Sequence, residues 1–165
     1  MKKNIAFISI KSKFCNALCK MFCNKLEMLY ADFNDILQYN LVNADMLDSA
    51  GQEYFDSEEQ KVLKSVVECE NIGINIDFSI LNKGENISLV KDTCLVIYLR
   101  YSKQLIEKFN KHTTKQHTKL LVAYDIEDKI CANYSDIVVD LTDNLNKNCE
   151  NLINAIKKYY KLVRW

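Results

Sequence analysis

No proline occurs in this 165-residue chain, glycine appears only three times, and no apolar run approaches the roughly 20 residues needed to cross a bilayer. The last absence excludes a spanning helix. The start also lacks the long apolar core and cleavage site of a secretory leader, so the expected compartment is the cytoplasm and no membrane partner is expected. An excess of charge is missing too: 22 Lys and Arg balance 22 Asp and Glu. Both signs are scattered rather than gathered into runs, which argues against a nucleic-acid partner. The seven cysteines show no C-x-x-C spacing and are odd in number, so neither a disulfide framework nor a zinc ribbon is expected. Heavy use of Asn, Lys and Ile beside the absent proline reads as drift of an AT-rich coding sequence and carries no functional information. What remains is 48% apolar and 27% charged residues, enough to build one cored domain over residues 1–165.

The order of elements follows from periodicity. Residues 5–10 read as a short buried strand, and residues 17–26 carry apolar side chains at helical spacing. Residues 29–32 return directly to the sheet, which makes a parallel β-α-β unit. A helix is expected over 34–41, then a helical pattern from Asp45 broken near Gly51, then a charged helix over 57–69 with Val62, Leu63, Val66 and Val67 inward. Strands follow at 72–76, 94–99 and 136–141, and the run CLVIYL suits a central strand covered on both faces. Helices are expected over 102–109, with Leu105, Ile106 and Phe109 inward, over 120–133, and over 144–163, with Leu152, Ile153, Ile156 and Tyr160 inward. Residues 110–119, NKHTTKQHTK, lack apolar periodicity and read as a lid-like loop. Strands alternating with helices predict a three-layer α/β domain with a parallel sheet of about five strands.

The strand, turn and helix over residues 4–26 are the setting of a phosphate-binding P-loop, but the letters of G-x-x-x-x-G-K-[ST] are not present. Ser9 and Phe14 stand at its glycines, Cys15 at the lysine and Asn16 at the hydroxyl residue. Lys11 and Lys13 are out of register with the missing lysine.

With NIAFI at 4–8, Asp32 ending the second strand, GQEYF at 51–55 with Glu59 after it, LVIYL at 95–99 and YSDIVVDL at 134–141, the chain resembles shikimate kinases, small P-loop kinases of the nucleoside monophosphate kinase type. The resemblance implies ATP held by the loop and attack of the shikimate 3-hydroxyl on the γ-phosphoryl group. Such transfer rests on positioning and charge neutralisation by glycines, a lysine, a metal ligand and arginines. Those positions are altered here. Ser9, Ser12 and Phe14 replace glycines that let backbone amides turn toward phosphate. Cys15 and Asn16 replace the lysine and the magnesium ligand; Asp32 remains, as a metal-associated carboxylate by the resemblance, but its expected role is structural, capping the following helix or satisfying nearby backbone donors. On the acceptor side Asn34 replaces a second aspartate, Asp56 stands where an arginine would clamp the shikimate carboxylate, and Asp77, Phe78 and Ser79 replace a glycine triplet. The lid offers Lys111, Lys115 and Lys119 but no arginine, and a later arginine falls near Glu127. The expectation is a pseudokinase on this scaffold, needing no cofactor and serving an unidentified small molecule or protein partner. The alternative is a residual shikimate kinase of aromatic amino acid (chorismate) biosynthesis, using ATP and magnesium.

Other residues have plainer readings. Cys15, Cys19 and Cys23 share one helical stripe and are expected in the core, with Cys15 the thiol that a helix N-terminus would activate. A pocket between the altered loop and the lid would be lined by Cys15, Asp56 and Phe78. His112 and His117 have no acidic or thiol partner at metal spacing, Glu58 and Glu59 read as a solvated helix face, and Tyr159, Tyr160, Val163 and Trp165 as packing on the sheet.

Overall fold

The run NIAFIS buries every residue, which requires a strand covered by helices on both faces. A computed structural model describes residues 4–40, 44–109 and 115–163, without the side chains of 44–50, 115–117 and 163. The elements are β1 (Asn4–Ser9), a 3-10 turn (Ser12–Phe14), α1 (Asn16–Lys25), β2 (Leu29–Asp32), α2 (Phe33–Asn40), α3 (Ala44–Val67), β3 (Ile72–Asp77), α4 (Phe78–Leu81), α5 (Asn86–Thr93), β4 (Cys94–Arg100), α6 (Lys103–Phe109), α7 (Lys115–Tyr134), β5 (Ile137–Asp140) and α8 (Leu145–Val163). Among the described residues, five strands form one parallel sheet in the order β2-β3-β1-β4-β5.

The two-residue repeat of a strand divides the core between the faces. Ile5, Phe7, Leu95, Ile97 and Leu99 pack with Cys15, Leu18, Cys19, Phe22 and Cys23 of the first loop and α1, and with Cys149 and Leu152 of α8. Ala6, Ile8, Val96 and Tyr98 face the other way, onto Leu63, Val67, Phe78, Leu81 and Val90. The cysteine stripe is core on the first face, and Cys23 presses on Gly73 so closely that a side chain there would collide with its sulfur. Polar groups fix the ends of the layers: Asn4 is buried, donates to the Val67 carbonyl at 3.1 Å and accepts from the Ile72 amide at 3.2 Å.

The break expected near Gly51 is present, with φ 79°, a left-handed value open to glycine. Four expectations change. Residues 78–93, left unassigned in sequence, hold the short helices α4 and α5. The polar stretch 110–119 is helical from Lys115, and its described side chains, Thr118 and Lys119, are exposed and offer no apolar stripe to read. Lys111, His112 and Trp165 lie outside the described residues, as do the side chains of Lys115, His117 and Val163. Phe109 is 39% exposed rather than inward, because it turns toward the first loop instead of the sheet. Glu59 is not solvated but 2% exposed, covered by the turn between α4 and α5. Among the described residues no helix is long and apolar enough to cross a membrane.

Candidate functional site

Chain order reverses across β1, whose neighbours are β3 and β4. In open parallel sheets this reversal leaves a crevice beyond the carboxyl ends of the strands, where ligands bind. The loop after β1 therefore stands at the mouth of the site by topology alone.

That loop is a closed turn. The Phe14 amide donates to the Lys11 carbonyl at 3.2 Å and the Cys15 amide to the Ser12 carbonyl at 2.8 Å, so two amides that a phosphate nest would present outward are used within the turn. The Ser12 amide donates to the Asp77 carboxylate. The other Asp77 oxygen accepts from the Asn34 side chain at 3.0 Å, and Asn34 also donates to the Ser12 hydroxyl at 3.2 Å. Asn75, fully buried in β3, donates to the Ser12 carbonyl at 2.9 Å and to Asn16 Oδ1 at 2.6 Å. Tyr30 adds a second donor to that Asn16 oxygen at 3.3 Å. Asn16, Asn34, Asn75 and Asp77 thus converge on one backbone turn, a hub in which side chains from α1, α2 and β3 hold the loop. Sequence reasoning missed Asn75 and Tyr30; a lone polar residue inside the apolar run of a central strand is the signal that could have found Asn75.

Asp32 ends β2 and accepts from the amides of Asn34 at 3.0 Å and Asp35 at 3.4 Å, which is helix capping of α2. Burial raises its pKa above the ordinary carboxylate value, against the lowering effect of those amides. Cys15 is fully buried, and burial pushes its thiol up to about 12, with the Ser9 hydroxyl pulling the other way. This corrects the expectation of an activated thiol: the turn buries the sulfur before the helix N-terminus can act on it. Phe78 is likewise a core residue, 6% exposed, so Cys15 and Phe78 do not line an open pocket. Ser79 is exposed and Ser9 buried.

Above the turn the rings of Phe14, Tyr101 and Phe109 pack together, with centroids 5.2 to 6.4 Å apart. Tyr101 fixes this cluster to the loop by donating to the Phe14 carbonyl at 3.1 Å. Beneath it, Ser9, Lys11, Phe14, Tyr98 and Tyr101 leave a cavity of about 10 Å³, the size of one water. A separate cavity of about 490 Å³ opens between α3 and α5, lined by Lys61, Lys64, Glu85 and Asp92 and by none of the loop residues.

On the α3 side of the crevice, Lys83 reaches Asp56 at 3.4 Å and Glu59 at 3.3 Å, with its ammonium 5.4 Å from the Phe55 ring centroid. Asp56 also accepts from Gln52 at 2.8 Å. Burial raises the Glu59 pKa while the Lys83 charge opposes it, and Glu59 Oε1 has no hydrogen-bond partner. Glu59 was legible after all: it lies four residues before Leu63 and three before Val62, on their buried face. Arg100 is the one arginine among the described residues, and it forms a two-pronged pair with Asp140 at 2.6 and 3.1 Å. Glu127 is half-buried on α7, its pKa raised by burial. Among the described residues no group of three His, Cys, Asp or Glu side chains is placed to hold a metal.

Comparison with known proteins gives one consistent answer. The family model for shikimate kinase matches residues 16–159, beginning just after the closed turn. A shikimate kinase of Dehalococcoides mccartyi is 23% identical over 168 residues, spanning 96% of each chain. The solved shikimate kinase of Acinetobacter baumannii, in complex with shikimate, superposes with a TM-score of 0.80 at 12% identity, covering 94% of this chain and 93% of that one. The shikimate kinase of Bacteroides thetaiotaomicron gives 0.75 at 15% identity, covering 93% and 98%. With the family model matched over most of its length and a five-stranded parallel sheet, the chain belongs to the shikimate kinase family.

Proposed function

We propose that this member of the family does not phosphorylate shikimate with ATP and is a pseudokinase. One observation carries the reading: the loop that would cradle phosphates is closed by hydrogen bonds from its own chain. Magnesium does not fit the residues present, because Asn16 Oδ1 already accepts from Asn75 and Tyr30 and Asp32 is engaged in capping α2. ATP phosphates do not fit either. The Ser12, Phe14 and Cys15 amides are occupied, no lysine stands at the position of Cys15, and the three rings cover the turn. On the acceptor side Asp56 presents negative charge where a carboxylate substrate needs positive charge.

Removal of one preorganised electrostatic group typically lowers a rate about 10²- to 10³-fold. Such losses do not simply multiply, but several together bring the rate to near background. The test is incubation of purified protein with magnesium ATP and shikimate, with shikimate 3-phosphate followed by ³¹P NMR. The expected result is no product above an enzyme-free control. ATP-dependent product that disappears in Asp32→Ala would overturn the proposal.

A further inference from the structure

Asp77 directly precedes α4, where an aspartate ordinarily turns back to cap its own helix, yet its side chain makes no capping hydrogen bond. It reaches instead across the crevice to the Ser12 amide and the Asn34 side chain. A backbone amide and a side-chain amide converging on two oxygens of one buried anion is the arrangement by which loops of this kind hold phosphate or sulfate. Here the anion belongs to the chain, and Asp77 is only 8% exposed. Lys11 and Lys13 flank the turn on its exposed side, with the Lys13 ammonium 5.3 Å from the Phe14 ring centroid.

Resting on the reading of an inactive loop, we propose that the Asp77 carboxylate is an autoinhibitory latch: it occupies the loop as a resident anion and keeps phosphate-bearing ligands out by charge and by possession of the Ser12 amide. Asp77 then acts beside Asn34 and Asn75, which also bond Ser12, as the charged member of the set that keeps the turn closed. With that charge removed, Lys11, Lys13 and the freed Ser12 and Asn34 donors all favour an incoming anion.

The experiment compares wild type with Asp77→Ala, using inorganic tripolyphosphate as the probe in isothermal titration and amide hydrogen exchange to read the loop. The expected result is affinity for tripolyphosphate at least about tenfold tighter in Asp77→Ala, and exchange at Ser12 about tenfold faster or more, while β1 and β4 amides keep their protection. Where circular dichroism shows that Asp77→Ala has lost the fold, Asp77→Asn carries the test. It removes the charge and keeps an acceptor for Ser12, so tripolyphosphate still binds more tightly than to wild type. Unchanged tripolyphosphate affinity in the folded variant overturns the latch while leaving the proposed loss of kinase activity standing. Wild type that makes shikimate 3-phosphate overturns that loss of activity instead.

Discussion

On the β1 side of the cleft the polar groups are mostly neutral, with Asn34, Asn75 and Tyr30 donating over 2.6 to 3.3 Å and the Asp77 carboxylate accepting, although Asn75 Oδ1 and Ser9 Oγ are left without a partner. On the α3 side the groups are charged. Lys83 is shared between a half-exposed Asp56 and a buried Glu59, at 3.3 to 3.4 Å, and one Glu59 oxygen is left without a partner. The two sides of the cleft are thus held in two physical ways. The first side is held by a largely buried network of hydrogen bonds whose removal strands further polar groups. The second is held by long charge pairs, partly in solvent, which are weaker and easier to rearrange.

The largest effect expected from breaking this contrast is on the locked side. Asn75→Ala strips a donor from the Ser12 carbonyl and another from Asn16 Oδ1, and should cost about 2–3 kcal/mol in urea denaturation. Lys83→Ala comes next, at about 1–2 kcal/mol by the same measurement, because it leaves Glu59 buried without its counter-charge. Glu59→Gln sharpens the contrast through pH. Burial raises the folded-state pKa of Glu59 above its ordinary 4.5, so its protonated form favours folding, and that contribution is lost as pH rises through the folded pKa. Glutamine does not ionise, so the stability of the variant relative to wild type should increase as denaturation is repeated from below pH 4.5 upward. The smallest effect is expected from Gln52→Ala, which removes one exposed hydrogen bond to Asp56 and should change stability by less than about 0.5 kcal/mol.

The sheet and its helices were readable from residue pattern because their cause is local. CLVIYL could only be a strand covered on both faces, and Val62, Leu63, Val66 and Val67 could only be one helical face. The start of α7 was hidden because its described first side chains bury nothing, and α4 because four residues are too short to establish a period. In the site, the departures at Cys15, Asn16, Asn34, Asp56 and Asp77 from the motifs that the resemblance implies were plain in the sequence. What they do instead was not, because the partners are distant in the chain: Asp77 meets Ser12 across 65 residues, and Asn75 meets Asn16 across 59. Only the fold brings them together. Glu59 failed for a different reason, since its charge outweighed its position on the apolar stripe.

The central claim is that the loop after β1 is closed to nucleotide, and the most direct measurement is the melting temperature of the wild-type protein with and without excess magnesium ATP. A ligand that binds only the folded state must raise it. The closed turn predicts the same melting temperature in both conditions; a rise that saturates with magnesium ATP would contradict the account.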